Sequence, residues 1–455
     1  MKKIYRYMEI MIISISTIFL LNMCTDNNVE ENAVVQINEI VNEIEGNIEE
    51  TNVVQDVKRD YRTNIKGNNE DVFTLMIYMC GSNLESEYGV ASADINEILE
   101  ADINENINIL IQTGGCTDWT NPQISEERTQ IFSVKNGQLE LAKDDLGLRN
   151  MAEPSTLSDF INYSEANYPA NRYGLIVWNH GFGTLEGFGQ DENFEDDSMA
   201  VSNLATALDN SNIYFDFIGF DACFMSTVEV AYALEPFADY LIASAEIEPF
   251  AGWYYTNWLN QLSNNTSINT VDLGKIIIDD FVQHNSRGEV PEEAILSIID
   301  LTEIRATYNA VCNMLDEIND CLGNGEYEKI SLVRSEAEAY AENLIDHVDI
   351  ISLAENLNIN SSLNVIEAIN NCIKYKGKTI TMSDVGGLSL YFPYYKMKYF
   401  DKFQDNIQKL NLNKEHFEFI NNITSSIKDG NIETIGEARK FEEGKEAEIN
   451  RYNSK

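Results

Sequence analysis

The chain has 455 residues and a formal net charge of −44, with 75 acidic and 31 basic side chains. This acidity excludes tight binding to nucleic-acid phosphates or to an anionic membrane surface. The length and the 44% of hydrophobic residues are those of a globular protein with one large or two ordinary domains.

Residues 1–24 are predicted to form an export segment. Basic residues near the start precede an apolar stretch, residues 10–23, that is short for a membrane span. The stretch ends in LNMC, which resembles a lipoprotein box, where the cysteine becomes the lipidated first residue after cleavage. We therefore predict an extracytoplasmic, cell-surface lipoprotein anchored through Cys24. A secreted protein and an uncleaved N-terminal anchor are the alternatives.

Residues 25–70 are polar and acidic and are predicted to be a linker or stalk. A series of apolar residues from Val34 to Ile48 is spaced by threes and fours, which is typical of a short coiled coil or of a helix on a partner surface. A helix of only two heptads is marginally stable without a partner, so a fraying stalk is the alternative.

Residues 71–270 are predicted to form a doubly wound α/β domain, because strand and helix patterns alternate along them. Continuous apolar runs at 173–178 and 215–220 indicate parallel strands that are buried on both faces. The other predicted strands are 75–79, 107–112, 240–245 and a hairpin of 130–134 and 138–141 that turns at Asn136-Gly137, and the predicted helices are 92–100, 158–166 and 257–262.

Residues 271–395 are predicted to be a mainly helical section, because apolar residues recur at threes and fours with almost no strand pattern. A strand at 388–392 is predicted to return the chain to the sheet. Residues 396–428 are predicted to be C-terminal helices, and the charged tail 429–455 is predicted to be disordered.

Two of the buried strands end at residues that can do chemistry. His180 follows the strand 173–178, and Cys223 follows the strand 215–220. Because ligands bind beyond the carboxyl ends of parallel strands, an imidazole and a thiol are expected on the same edge of the sheet.

The sequence STVE at 226–229 predicts a capping box, with Cys223 at the N-terminus of the helix that follows. A helix N-terminus stabilises a thiolate. We therefore predict Cys223 as the nucleophile and His180 as its general base, with the backbone N–H groups of Gly181 and Cys223 receiving an oxyanion.

Structural roles are the alternative for both residues, since a buried cysteine commonly acts as a small apolar side chain. Cys80 is the rival nucleophile because it also ends a strand, although no comparable capped helix follows it. Cys80 and Cys116 can also pair in an exported protein, and no Cys/His spacing indicates a zinc site. The other histidines, which lie in helical and polar surroundings, are predicted on the surface: His284, His347 and His416.

The loop at 191–197 is rich in hard oxygen ligands. Asp191, Asp196 and Asp197 are candidates for a Ca²⁺ site. The loop lacks the alternating spacing and the glycine of an EF-hand, so a solvated acidic loop is the alternative. The predicted chemistry itself requires no cofactor.

Four motifs stand out along the chain: Asn179-His180-Gly181, GFDACFM at 219–225, ASAEIEPFAGW at 243–253 and GLSLYFP at 387–393. Together, and in the order of the family, they resemble the clostripain-like cysteine peptidases over residues 71–395. This resemblance implies a caspase-like fold, a mostly parallel sheet flanked by helices with an additional mainly helical C-terminal section. It also implies that His180 and Cys223 form a catalytic dyad that cleaves protein or peptide substrates.

Family members with a known preference cleave after arginine or lysine, with acidic residues in the pocket that receives this side chain. Asp221 matches one of these positions. The second falls where this chain has Ala251, which weakens recognition of a cation unless Glu246 or Glu248 compensates. The resemblance thus implies an endopeptidase with a preference for basic residues.

Relatives that mature by cutting themselves do so after a basic residue between the dyad positions. Residues 173–274 contain no lysine or arginine, so we predict that the chain does not cut itself in this segment. The protein is also predicted to act as a monomer. Two other classes stay open: a catalytically silent surface binding protein on a peptidase scaffold, and a metal-dependent hydrolase that uses the acidic loop.

Overall fold

The computed structural model describes residues 62–211, 213–288, 291–396 and 400–434, without the side chains of 401–403 and 405. The export segment with Cys24, residues 25–61 of the predicted stalk and most of the charged tail lie outside the described residues. The described residues belong to one compact unit, Lys58–Lys455. None of the helices described there is long and apolar enough to cross a membrane.

One large sheet organises the described residues. It contains nine strands in the order β12-β10-β9-β8-β5-β1-β2-β3-β4, and two-stranded sheets are formed by β11 with β13 and by β6 with β7. The strands are β1 (Phe73–Cys80), β2 (Ile107–Gly114), β3 (Gln130–Lys135), β4 (Gln138–Lys143), β5 (Arg172–Trp178), β6 (Phe188–Asp191), β7 (Asp197–Met199), β8 (Phe215–Asp221), β9 (Ala238–Ala243), β10 (Ile295–Asp300), β11 (His347–Asp349), β12 (Ile373–Lys378) and β13 (Ser389–Tyr391).

Helices cover both faces of the sheet, and each face has its own apolar core. Two short 3₁₀ helices, Glu192–Phe194 and Tyr340–Asn343, lie in loops. The α-helices are α1 (Ser82–Ser86), α2 (Val90–Glu100), α3 (Pro154–Asn167), α4 (Gly183–Glu186), α5 (Val201–Asp209), α6 (Val228–Leu234), α7 (Tyr255–Asn264), α8 (Thr270–Asn285), α9 (Ile304–Gly323), α10 (Tyr327–Glu336), α11 (Ile350–Leu357), α12 (Ser362–Cys372), α13 (Phe400–Ile407) and α14 (Lys414–Lys428).

The predicted doubly wound α/β fold is confirmed. Strands β2, β1, β5, β8 and β9 form a parallel block in which β8 is buried along its whole length. The hairpin of β3 and β4 turns at Asn136 and Gly137, whose φ angles of 50° and 70° are those of a type I′ turn.

The prediction that the chain returns to the large sheet at 388–392 is wrong. The strand there, β13, pairs with β11 instead, and the chain joins the large sheet through β10 and β12. Strand β10 lies within the predicted helical section because its sequence, ILSIID, is short, mostly apolar and buried along its whole length. Periodicity alone does not separate such a short buried strand from a buried helical segment.

A buried ion pair holds β5 and β8 together at their amino ends. Arg172 and Asp216 are fully buried, and their side chains lie 2.6 Å apart. Arg172 also donates to the carbonyl oxygens of Thr266 and Ile268. Because breaking such a pair leaves an uncompensated buried charge, it constrains the two strands that carry the candidate catalytic residues.

Candidate active site

His180 and Cys223 lie at the carboxyl ends of adjacent parallel strands. Trp178 of β5 is in register with Asp221 of β8, and each candidate residue comes two positions later. Gly181 packs against the backbone of Cys223 so closely that a Cβ at Gly181 would lie 2.1 Å from the Cys223 carbonyl oxygen. The structure therefore brings His180, Gly181 and Cys223 to one edge of the sheet, while their catalytic roles stay a prediction.

Cys223 is partly exposed. The backbone N–H of Glu248 donates to Cys223 Sγ at 3.3 Å, and the thiol lies 4.0 Å from the carbonyl oxygen of the same residue. Directly after Cys223, Phe224 has a φ of 64°, so the chain bends sharply in a left-handed conformation. These contacts hold the sulfur at an accessible bend.

Cys80, the rival nucleophile, is buried, and burial holds the pKa of its thiol well above the usual range. A thiol held in its protonated form is a poor nucleophile. The predicted pairing of Cys80 with Cys116 is not present: both are free thiols, and their side chains belong to different apolar cores on the two faces of the sheet.

The predicted capping box is wrong. Helix α6 begins at Val228, and its N-cap is Thr227, whose side chain accepts from the N–H of Val230. Ser226 is kept out of the helix because its backbone N–H and carbonyl bond to Ser244 and Ser389. Cys223 therefore lies five residues before the helix rather than at its N-terminus.

The side chain of His180 is held by a residue that sequence reasoning missed. His180 Nε2 lies 2.8 Å from Oδ1 of Asn83, which belongs to α1 directly after β1. Asn179 also links these two strand ends, because its side chain bonds to the carbonyl of Cys80 and to the N–H of His180. Asn83 is 97 residues from His180, and no local motif indicated the contact.

Asp221 lies at the end of β8 in a buried, acidic environment. Its carboxylate accepts from the N–H of Trp253 at 3.3 Å and from the hydroxyl of Tyr255 at 2.8 Å. Burial, partly offset by these hydrogen bonds, raises the pKa of Asp221 to about 6. Gly252 has a φ of 56°, and a Cβ there would lie 2.9 Å from Asp221 Oδ1. The chain thus passes directly over this carboxylate.

Three more carboxyl groups surround Asp221. Burial, together with the charge of Asp221, holds the pKa of Glu248 and of Asp94 well above the usual range, and burial raises that of Glu97 to about 7. Asp94 and Glu97 come from α2 and were not predicted, since nothing in their local sequence links them to β8. Within the described ranges, no ion pair joins any of the four to a lysine, arginine or histidine.

Glu246 is engaged by the backbone. Its carboxylate accepts from the N–H of Ala341 at 2.8 Å and from the N–H of Ile247 at 2.7 Å. It thereby supports residues 341–343, which all have a positive φ although none is a glycine. Its predicted substrate contact stays a prediction, and these bonds give Glu246 a clear role in holding this turn.

The acidic loop does not fit a calcium site. Both oxygens of Asp191 accept backbone N–H bonds, from Met151 at 2.7 Å and from Asn193 at 2.9 Å. Asp197 accepts from the side chain of Asn150. No group of three or more acidic, histidine or cysteine side chains is arranged to hold a metal among the residues that the structure describes.

The surface prediction for His347 and His416 is wrong, because both are fully buried. Burial lowers the pKa of each to about 3, so both imidazoles are neutral. His416 Nε2 lies 3.5 Å from Glu229, whose own pKa burial raises to about 7. Both histidines therefore belong to the folded core.

The fold and the strand-end residues define the class, a caspase-like α/β fold with a cysteine and a histidine on adjacent parallel strands. The profile of the Clostripain family, peptidase family C11, matches residues 77–423, and the chain belongs to this family.

Clostripain of Hathewaya histolytica is 29% identical over 168 residues, which are 33% of this chain and 32% of clostripain. The chain therefore matches about a third of the length of that relative. A secreted C11 cysteine protease from Bacteroides thetaiotaomicron, solved with an irreversible peptide inhibitor, has a TM-score of 0.57 and 21% identity, covering 75% of this chain and 99% of its own. An inactive zymogen C11 protease from Parabacteroides distasonis has a TM-score of 0.55 and 22% identity, covering 76% and 98%. The similarity of the chain to these two solved structures shows that it shares their fold.

Proposed function

We propose that this chain is a cysteine endopeptidase that cleaves protein or peptide substrates through an acyl-enzyme. The observation that carries the proposal is the placement of His180 and a partly exposed Cys223 at adjacent strand ends. The contact of Gly181 with the backbone of Cys223 supports an oxyanion site at the same edge.

In the proposed reaction, His180 takes the thiol proton and Cys223 Sγ attacks the scissile carbonyl carbon. The carbonyl electron pair moves to oxygen, where the N–H groups of Gly181 and Cys223 receive the negative charge. The C–N bond then breaks as His180 gives its proton to the departing amine. Water, deprotonated by His180, hydrolyses the thioester and releases the thiol.

We also propose that the enzyme prefers arginine or lysine before the scissile bond. The carboxyl groups of Asp221 and Glu248 are buried without a cationic partner among the described residues. Asp221 lies two positions before Cys223, and the backbone N–H of Glu248 bonds to the Cys223 sulfur. A bound guanidinium or ammonium group would supply the missing positive charge. In this proposal Glu248 supplies the second acidic group, since position 251 is an alanine.

We place the enzyme outside the cytoplasm, since the Bacteroides thetaiotaomicron protein is described as secreted. The lipid anchor at Cys24 rests on the N-terminal sequence.

The test compares Cys223→Ala with Cys321→Ala, because Cys321 is the other partly exposed cysteine among the residues that the structure describes. On peptides with arginine, lysine, alanine or aspartate before the scissile bond, wild type and Cys321→Ala should cleave the basic peptides fastest. Cys223→Ala should lose turnover and labelling by a peptide chloromethyl ketone. Wild-type turnover in Cys223→Ala contradicts the mechanism, and a neutral or acidic residue ranked first contradicts the preference.

A further inference from the structure

The hydrogen bond between His180 Nε2 and Asn83 Oδ1 determines where the imidazole proton lies. An amide oxygen can only accept, so the 2.8 Å contact requires a proton on Nε2. A neutral imidazole carries one proton, and Nδ1 then keeps its lone pair. The imidazole is thereby held as a base whose lone pair lies on Nδ1.

Asn83 lies on a firmly supported turn. After β1, the N–H groups of Gly81 and Ser82 donate to the carbonyls of Gly114 and Gly115, at 2.8 Å and 3.0 Å, which fixes the turn to the end of β2. Ser82 has a φ of 49°, a conformation that turns the chain abruptly into α1.

The other end of α1 is fixed by the buried carboxylate of Glu85. It accepts from the N–H of Ser92 at 2.8 Å and from the N–H of Thr120 at 2.7 Å. Asn83 can hold the His180 ring in one orientation only if Asn83 is itself held in place, and these backbone bonds at both ends of α1 do so.

We infer that Asn83 is a positioning residue for catalysis, which holds the His180 ring in one orientation and keeps its proton on Nε2 so that Nδ1 accepts the proton of Cys223. The inference rests on the proposed Cys223 and His180 mechanism. Asn83 acts through the imidazole and takes no part in bond making.

The imidazolium that forms during thiol attack carries a proton on both nitrogens, and its positive charge is shared between them. The amide oxygen of Asn83 accepts from the charged ring more strongly than from the neutral ring, because charge-assisted hydrogen bonds are the stronger kind. The contact therefore stabilises the state in which His180 holds the thiol proton.

The variants are Asn83→Ala, which removes the acceptor, and Asn83→Asp, which retains an oxygen at the same position. Ser86→Ala is the matched control, because Ser86 lies on the same short helix and loses one side-chain bond, to Glu192, without contact to His180. Each is purified as the full chain, and steady-state kinetics are measured from pH 5 to 9.

Asn83→Ala should lower kcat about 10- to 100-fold with little change in KM, since a loosely held base costs this much in rate. Ser86→Ala should behave like wild type. Asn83→Asp should regain most of the rate, and its carboxylate should move the acidic limb of the kcat/KM profile to higher pH.

Three outcomes overturn the inference: an unchanged kcat in Asn83→Ala, an equal loss in Ser86→Ala, or an Asn83→Asp variant that folds like wild type but is as slow as Asn83→Ala. The failure of the proposed function would look different. In that case the wild-type chain itself would lack any turnover that depends on Cys223.

Discussion

At the scale of a single residue, the ionisation of Asp221 leads to a specific prediction about substrate binding. Its pKa of about 6 means that it changes charge within the working range of a peptidase. The groups facing it are Asp94, Glu97, Glu248 and the hydroxyl of Tyr255, which are all acidic or neutral. A positively charged substrate side chain should therefore bind better as Asp221 ionises.

We expect the preference for arginine over citrulline, its uncharged isostere, to rise as the pH increases through about 6. In Asp221→Asn the preference should fall at least about tenfold at pH 7.5, because a hydrogen bond to a charged group contributes about 1.5–3 kcal/mol. The rise of the preference near pH 6 should be lost, and only the weaker pH dependence from Glu97, whose pKa is about 7, should remain. The measurement is kcat/KM for the two peptides from pH 5 to 8.

The citrulline peptide is the internal control, since its pH dependence reports the dyad alone. A preference that does not change with pH in the wild type would contradict the role of Asp221.

The residues predicted from sequence are those that follow a strand directly. His180 and Cys223 are recognisable because an apolar run stops at a reactive side chain, and topology then places parallel strand ends together. Asn83, Asp94 and Glu97 have no such local pattern. They reach the site from α1 and α2, and only the folding of the sheet brings them close.

At the scale of elements, the segment between His180 and Cys223 decides whether the enzyme can cut itself. The segment forms α4, β6, β7 and α5, and its apolar residues Phe188, Met199 and Leu204 are fully buried. A peptidase needs an extended and accessible substrate, and the burial of these three side chains opposes the release of the segment as such a substrate. The acidic turn at 195–197 would also repel the acidic pocket at Asp221.

We predict that active enzyme stays a single chain between residues 181 and 222, where no lysine or arginine occurs. Intact-mass measurement after storage of active enzyme checks this, with Cys223→Ala as the control. Two fragments with a junction in this segment, absent from Cys223→Ala, would contradict both the prediction and a strict basic preference.

Elements were predicted best where one pattern dominates. The parallel strands and the Asn136-Gly137 hairpin follow from apolar runs and turn chemistry. Ser226 shows why the predicted capping box is wrong. The STVE sequence favours a helix start, but the backbone bonds of Ser226 to Ser244 and Ser389 keep it out of the helix. Tertiary hydrogen bonds therefore decide where α6 begins.

At the scale of the whole molecule, buried carboxyl groups link stability to pH. The pKa of Glu229 and of Glu246 rises on folding from 4.5 to about 7, and that of Asp216 and of Asp221 from 3.8 to about 6, in each case mainly through burial. Each group holds its proton more tightly in the folded state. Its stabilising contribution is complete below the unfolded pKa and is lost as the pH rises through the folded pKa.

The buried imidazoles act in the opposite direction, but over a lower pH range. Burial lowers the pKa of His347 and of His416 from 6.5 to about 3. In this interval the unfolded chain binds the proton, so stability increases as the pH rises from about 3 to about 6.5. Above pH 6.5 the contribution of these two imidazoles is complete, so they no longer oppose the effect of the buried carboxyl groups.

We therefore predict that the free energy of unfolding falls as the pH rises from 6.5 to 8. Self-repulsion of the −44 net charge has the same sign, but about 1 M NaCl screens it while affecting buried groups much less. The measurement is urea unfolding of the full chain with the substitution Cys223→Ala, which prevents self-digestion. At high salt, the free energy of unfolding of this variant should still fall as the pH rises. Adding Glu246→Gln should make this slope shallower, because one titrating carboxyl is removed. A free energy that is constant or rises over this range at high salt would show that the buried carboxyl groups do not control the stability of the fold.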